Sequence, residues 1–146
     1  MTIIERLRQY KELDPHKIAL IVDDKKYTYG DLYDAILSIN INDTSRIVNV
    51  AQTKESPKHI VALIQSQSFV EQLVQWLGGL NTGYIPMVCH NEMDSEYVEE
   101  LARIIAYKGV APLADFGVLT SGTTGRPKPL WRSESSWREF FDIQND

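Results

Sequence analysis

The sequence predicts an α/β fold in which a mostly parallel sheet is flanked by helices. Apolar runs of strand length alternate with longer segments whose apolar residues recur at helical spacing, the pattern of β–α–β units. Residues 59–64 are almost continuously apolar, as expected for a strand that helices cover on both faces. A loop-rich stretch precedes this run, and residues 47–50 within it could pair as a further strand.

Composition narrows the class of protein. The chain has 146 residues, 43% of them hydrophobic and 24% charged, which suits one globular domain. A net charge of −5 argues against a nucleic-acid surface. The single cysteine, Cys89, excludes an internal disulfide, and its expected role is a buried structural thiol. The N-terminus lacks an apolar signal core, and no apolar run approaches the roughly 20 residues of a membrane helix. We therefore expect a cytoplasmic protein without a membrane span.

The N-terminal part is predicted to hold a helix and a hairpin. Apolar residues recur at helical spacing from Ile3 onward, and the helix should end at Asp14 because a proline follows. Residues 18–22 and 26–29 are strand candidates separated by a short polar segment. A hairpin is the natural connection between them.

Capping residues mark the next helices. Thr28 and Asp31 have the spacing of a capping box and predict a helix start. Ser66 or Ser68 caps the following helix, and Gly83 closes it.

The alternation continues to the most informative segment. Residues 84–88 read as a strand, and Asp94 or Ser95 caps the helix that follows. Residues 116–119 form a short apolar strand that runs directly into Thr120.

Residues 120–128 read Thr-Ser-Gly-Thr-Thr-Gly-Arg-Pro-Lys. Two glycines allow tight turns, successive backbone N–H groups can form a concave anion site, and Lys128 adds positive charge. A strand that feeds such a loop, with a helix-like stretch after it, is how a parallel sheet builds a phosphate site. Gly125 is followed by Arg126, so the pattern is not a Walker A loop. The alternative is a plain surface turn, because the same residue types dominate loops.

This segment resembles the signature phosphate loop of the adenylate-forming superfamily, which includes acyl- and aryl-CoA synthetases, luciferases and peptide-synthetase adenylation domains. Residues 14–20 and 27–32 resemble the family's N-terminal hairpin and the helix start after it. Residues 69–87 resemble its helix-to-strand element. The resemblance covers nearly the whole chain. It implies that residues 1–146 are an N-terminal subdomain of the adenylate-forming fold.

The resemblance implies an ATP-dependent, AMP-forming carboxylate–thiol ligase, of which a fatty-acid or related acyl-CoA synthetase is the expected type. ATP with Mg²⁺ is the implied cofactor, and a carboxylic acid and coenzyme A are the implied substrates of the full enzyme. The residues that would cradle the ATP phosphates are Thr120, Ser121, Gly122, Thr123, Thr124, Gly125 and Lys128. The family's catalytic residues and magnesium carboxylate would lie beyond Asp146, so we expect a truncated chain that is inactive alone.

Two positions depart from the family pattern. Pro129 stands where the family usually has glycine, and Glu134 where it commonly has histidine. Pro129 removes an N–H donor and makes Lys128 extended. Glu134 cannot act as a neutral ring near the acyl site. Arg132 either compensates by meeting an anion or is a solvated surface residue.

The departures leave a second hypothesis open. The chain could be a non-catalytic scaffold, or a module that binds a nucleotide or a partner and has lost catalysis. No metal site is expected, because the three histidines are scattered. A truncated sheet would leave core-facing residues uncovered, which predicts self-association.

Overall fold

The computed structural model describes residues 1–55, 57–120 and 128–136. The helices in these ranges are α1 (Ile3–Leu13), α2 (Tyr29–Ser38), α3 (Ile41–Thr44), α4 (Phe69–Thr82) and α5 (Ser95–Lys108). The strands are β1 (Ile18–Val22), β2 (Lys25–Thr28), β3 (Arg46–Asn49), β4 (Ile60–Ile64), β5 (Ile85–Val88), β6 (Phe116–Leu119) and β7 (Pro129–Arg132). No helix in these ranges is long and apolar enough to cross a membrane.

The main sheet has the order β3-β4-β5-β6-β7. The three central strands β4, β5 and β6 run parallel, whereas β3 and β7 are antiparallel to their neighbours. The α/β class is confirmed, and the sheet is mixed rather than mostly parallel. The reason is the length of the connections at its two edges. A parallel return needs a crossover of about a dozen or more residues, usually through a helix, and the segments 50–59 and 120–128 are too short for one.

The predicted hairpin is present as a separate two-stranded sheet of β1 and β2. Its turn consists of Asp23 and Asp24, which have positive φ angles of 48° and 64°. Aspartate tolerates this region better than most residues, and two such residues form the tight turn that matches strand twist. Lys25 already pairs with Val22, so the second strand begins one residue earlier than predicted.

Caps define the helix starts. Thr2 and Thr28 form complete capping boxes, the latter with Asp31 as predicted. Of the alternatives left open by the sequence, Ser68 caps α4 and Asp94 caps α5. At the end of α4, Gly83 has a left-handed conformation with φ of 84°, which relieves the steric cost that a side chain would bring.

Two apolar clusters hold the elements together. The first joins one face of the main sheet to α5, and its buried members are Val48, Val50, Val61, Leu63, Ile85, Met87, Cys89, Val98, Leu101, Ala102, Ile105 and Ala114. The second lies among the helices on the other side, with Leu32, Ile36, Leu77 and Leu80 buried and Ile4 and Leu7 packed against them. Helices therefore cover both faces of the sheet. The half-buried character predicted for α1 is confirmed by the partial burial of Ile4 and Leu7.

Two elements differ from the sequence predictions. The edge strand β7 (Pro129–Arg132) was not predicted between the phosphate loop and the helix-like stretch expected after it, where helical backbone is present at residues 134–136. Proline is tolerated at the first residue of an edge strand, and the residue before it is pushed toward extended backbone. The short helix α3 (Ile41–Thr44) was not predicted, because one turn gives no periodicity to read.

Candidate functional site

The candidate site lies where the parallel strands end. The carboxyl ends of β4, β5 and β6 share one edge of the sheet, and the residues that follow them are Gln65, Cys89 and Thr120. The Cys89 N–H donates to the Ile64 carbonyl at 2.7 Å, which extends the pairing of β4 and β5 to this edge. Open α/β sheets bind ligands outside the carboxyl ends of their strands. The segment predicted to be the phosphate loop begins at this edge with Thr120, directly after β6.

The two ends of the predicted loop are bonded to each other. The Thr120 N–H donates to the Lys128 carbonyl at 3.0 Å. The Thr120 hydroxyl donates to the same carbonyl at 3.3 Å and accepts from the Lys128 N–H at 3.3 Å. The base of the loop is therefore closed by one residue pair.

Of the predicted phosphate-binding residues, Thr120 and Lys128 are described and both are exposed. The other predicted residues lie outside the described residues, namely Ser121, Gly122, Thr123, Thr124 and Gly125. The Thr120 hydroxyl and the backbone N–H groups of Thr120 and Lys128 donate within this pair, so among these described groups the Lys128 ammonium is the donor that suits an anion.

The hairpin of β6 and β7 carries the loop. Its register pairs Leu119 with Pro129 and Gly117 with Trp131. A Cβ atom at Gly117 would lie 2.8 Å from the Trp131 ring and would clash with the Met87 methyl group. The glycine is needed so that the indole and Met87 can pack closely on this face.

Pro129 costs the hairpin no hydrogen bond. Opposite residues in an antiparallel pair alternate between hydrogen-bonded and non-hydrogen-bonded pairs. Thr120 and Lys128 form a bonded pair, so the next pair, Leu119 and Pro129, is of the non-bonded kind. β7 is the outermost strand of its sheet in the described ranges, so the proline nitrogen faces away from any ladder.

A charged cluster holds the opposite end of the hairpin. Asp115 precedes β6, and its carboxylate accepts from Lys58 Nζ at 2.9 Å and from the Glu134 N–H at 2.8 Å. The Asp115 N–H donates to the Arg132 carbonyl at 2.8 Å. The side chains of Lys58 and Asp115 are 29% and 26% exposed, so solvent screens this pair only in part. The loop-bearing hairpin is thus fixed at both ends.

Glu134, the departure from the family's histidine, has a structural contact. Its Oε1 accepts from the Ile3 N–H at 2.9 Å, at the first turn of α1. A carboxylate at a helix N-terminus satisfies a free N–H and meets the positive end of the helix dipole. The segment after β7 is therefore tied to the first helix of the chain.

The turn after β5 is also fixed by side chains. Gln65 Nε2 donates to the His90 and Met93 carbonyls at 2.9 and 2.6 Å. The His90 Nδ1 accepts from the Glu92 N–H at 3.1 Å.

Cys89 is a buried structural thiol, as predicted. It is 1% exposed within the first apolar cluster, and burial raises its pKa to about 11. A thiol with such a pKa is protonated at neutral pH, so Cys89 is not a nucleophile at this edge.

Sequence reasoning missed the contacts that frame the site. Asp115 lies 57 residues from Lys58, and Glu134 lies 131 residues from Ile3. The only signal in the sequence was a charged residue, Asp115, directly before a strand, and this signal does not indicate which residue it contacts. Among the described residues, no group of three or more histidine, cysteine, aspartate or glutamate side chains could hold a metal ion.

No family model matches the chain. VraA of Staphylococcus aureus (strain COL), which is assigned by name to the long chain fatty acid-CoA ligases, is 25% identical over 166 aligned positions that cover 97% of this chain and 34% of VraA. VraA of Staphylococcus haemolyticus is 25% identical over 175 positions, covering 100% of this chain and 35% of its own length. The chain thus spans about a third of these relatives.

Solved structures share the fold. O-succinylbenzoate coenzyme A synthetase (MenE) of Bacillus subtilis, in complex with AMP, matches with a TM-score of 0.59 and 16% identity, over 95% of this chain and 44% of that one. The N-terminal subdomain of NpsA from Klebsiella oxytoca matches with a TM-score of 0.56 and 16% identity, over 88% and 41%. The chain is therefore similar in sequence to about a third of the VraA proteins, and it shares its fold with part of MenE and of the NpsA N-terminal subdomain.

Proposed function

We propose that this chain supplies the ATP phosphate-binding loop of an AMP-forming carboxylate–thiol ligase. In this proposal the loop whose ends are Thr120 and Lys128 receives the β- and γ-phosphates of ATP. The observation that carries it is the closure of this motif by Thr120 and Lys128 at the carboxyl end of β6, beside the parallel strand β5.

The proposed chemistry is the activation of a carboxylate. The substrate carboxylate attacks the α-phosphorus of ATP, the bond to the bridging oxygen of the β-phosphate breaks, and pyrophosphate leaves as an acyl-adenylate forms. Donors held in place around the departing phosphates stabilise the charge that develops on them. Lys128 supplies a cation at the base of the loop. Mg²⁺, when bound, would neutralise further phosphate charge.

The substrates are also proposals. The sequence relatives carry the name of fatty acid-CoA ligases, which supports a fatty acid as the carboxylate. MenE has been solved with a product analogue named OSB-NCoA, which supports coenzyme A as the thiol. The chain spans about a third of the length of these relatives, so we expect it to be inactive without the remainder of such an enzyme.

The free energies of hydrogen bonding and of association predict weak phosphate binding by the isolated chain. Hydrogen bonds to charged groups contribute about 1.5–3 kcal/mol each, and association costs at least several kcal/mol. A net free energy of about −4 kcal/mol corresponds to a millimolar dissociation constant.

The first experiment is an NMR titration of the labelled protein with pyrophosphate and with Mg-ATP. We expect shifts of the Thr120 and Lys128 amides at millimolar ligand, and their loss in Lys128→Ala. Lys108→Ala, which removes a lysine from the end of α5, is the matched control and should bind normally. The proposal fails if wild-type protein shows no shifts at several millimolar, or if both variants lose them equally.

One specific observation supports the hypothesis of a non-catalytic scaffold. The Glu134 carboxylate is engaged with the Ile3 N–H, so the position where the family commonly has histidine serves packing in this chain. Pyrophosphate exchange into ATP, measured on the full-length protein with a panel of carboxylates, separates the two functions. Exchange with any acid supports the ligase, and ATP binding without exchange supports the scaffold.

Self-association is a further part of the proposal. Val88, Val118 and Leu130 lie on three neighbouring strands and are 36%, 37% and 41% exposed. Their register places Val118 opposite Leu130. We expect sedimentation to show concentration-dependent association that Leu130→Lys weakens. A clean monomer at high concentration would contradict it.

A further inference from the structure

Both hydrogen-bond donors of Thr120 are engaged within the chain. Its two donors are the backbone N–H and the hydroxyl, and both point to the Lys128 carbonyl, at 3.0 and 3.3 Å. The hydroxyl oxygen also accepts from the Lys128 N–H at 3.3 Å. Phosphate oxygens at neutral pH need donors, and a hydroxyl has only one. In this geometry neither donor of Thr120 is directed at an anion, and its remaining lone pairs can only accept hydrogen bonds.

The residue pair next to Thr120 and Lys128 does not form a second closure at the base of the loop. Pro129 cannot donate, and its pair with Leu119 is of the non-bonded kind. The next residues able to close the ladder are Val118 and Leu130, two positions further from the loop. Without the Thr120 contacts, the closed end of the hairpin would retreat to that pair, and Lys128 would be released from the strand.

We propose that Thr120 is a positioning residue: its hydroxyl latches the two ends of the loop and fixes the backbone of Lys128, and it does not bind phosphate itself. This rests on the proposed function for the phosphate-binding role of Lys128. In this proposal the first residue of the motif, Thr120, has a structural role, and the last residue, Lys128, provides the positive charge. The division explains how the loop tolerates proline directly after Lys128.

The test uses two substitutions of nearly constant shape. Thr120→Val keeps the branched side chain and removes the hydroxyl, whereas Thr120→Ser keeps the hydroxyl. Solvent exchange of the Lys128 amide, measured by NMR without ligand, reports the latch directly. We expect Val to raise the exchange rate about tenfold, the size expected for one lost hydrogen bond, and Ser to stay near wild type. Thr44→Val, which removes a hydroxyl bonded to Asn40 and Ile41 carbonyls, should leave the Lys128 amide unchanged.

Pyrophosphate titration of the same variants completes the test. We expect weaker binding in Thr120→Val and recovery in Thr120→Ser. If Val weakens binding while Lys128 exchange stays at the wild-type rate, the hydroxyl is a direct ligand and the latch is overturned. Unchanged exchange and unchanged binding overturn it as well. If the wild-type protein binds no pyrophosphate, the proposed function and the positioning role fail together, whereas exchange still decides whether the closure itself exists.

Discussion

The two antiparallel edges of the main sheet are held by different forces. β3 places Val48, 4% exposed, in the first apolar cluster under α5. β7 contributes a half-buried Trp131 on that side and an exposed Leu130 on the other. Polar contacts of Thr120 and Asp115 fix its two ends. The edge that carries the proposed phosphate loop is thus fixed by polar contacts at its two ends.

The largest difference in stability between the two edges is expected when one apolar side chain on each edge strand is truncated. Val48→Ala removes buried methyl groups and leaves a cavity, so we expect a loss of about 2 kcal/mol in the free energy of unfolding. Leu130→Ala removes more atoms from a side chain that is 41% exposed, and should cost less than about 1 kcal/mol. Urea unfolding measures both. Equal losses would show that the two edges are held alike.

The second contrast concerns the charged end of β7. Asp115→Ala removes the acceptor of both Lys58 and the Glu134 N–H, and should cost about 1–3 kcal/mol because the bonds are charge-assisted and half-buried. Asp115→Asn keeps the shape and one acceptor oxygen, and should cost less. Hydrogen exchange should show the loss first at the amides of Phe116 and Arg132, the bonded pair next to Asp115. Uniform loss across the sheet would mean that Asp115 stabilises more than the hairpin.

The smallest effect is expected at the surface ion pair of β3. Arg46 binds Glu99 of α5 through two contacts of 2.6 and 3.0 Å, which lower the pKa of Glu99. A lowered carboxyl pKa stabilises the fold above the pKa of the unfolded chain, and this contribution is lost as the pH falls through the folded value. Both side chains are nearly half exposed, so the contribution should be slight.

Thermal unfolding of wild type and Glu99→Gln measures this pair. We expect a small destabilisation of the variant at pH 7 that disappears well below the ordinary glutamate pKa of about 4.3. Addition of salt at pH 7 should also reduce it. A difference that persists in acid would have to come from packing and not from charge.

Local patterns predicted the elements whose signals are local. The caps Thr28, Ser68 and Asp94 and the left-handed Gly83 lie at or beside the predicted helix ends. The burial of Cys89 was also predicted. These features depend on residues three or four positions apart, or on the hydrophobicity of a short run.

The sequence by itself determined the α/β class, most helix boundaries and the position of the phosphate-loop motif after β6, because hydrophobic period and capping chemistry act over short spans. Only the tertiary structure decided the direction of the edge strands, the strand β7 and the contacts of Thr120, Asp115 and Glu134. Strand direction depends on how the chain returns to the sheet. Hydrogen bonds between residues far apart in sequence form only once packing has brought their partners together.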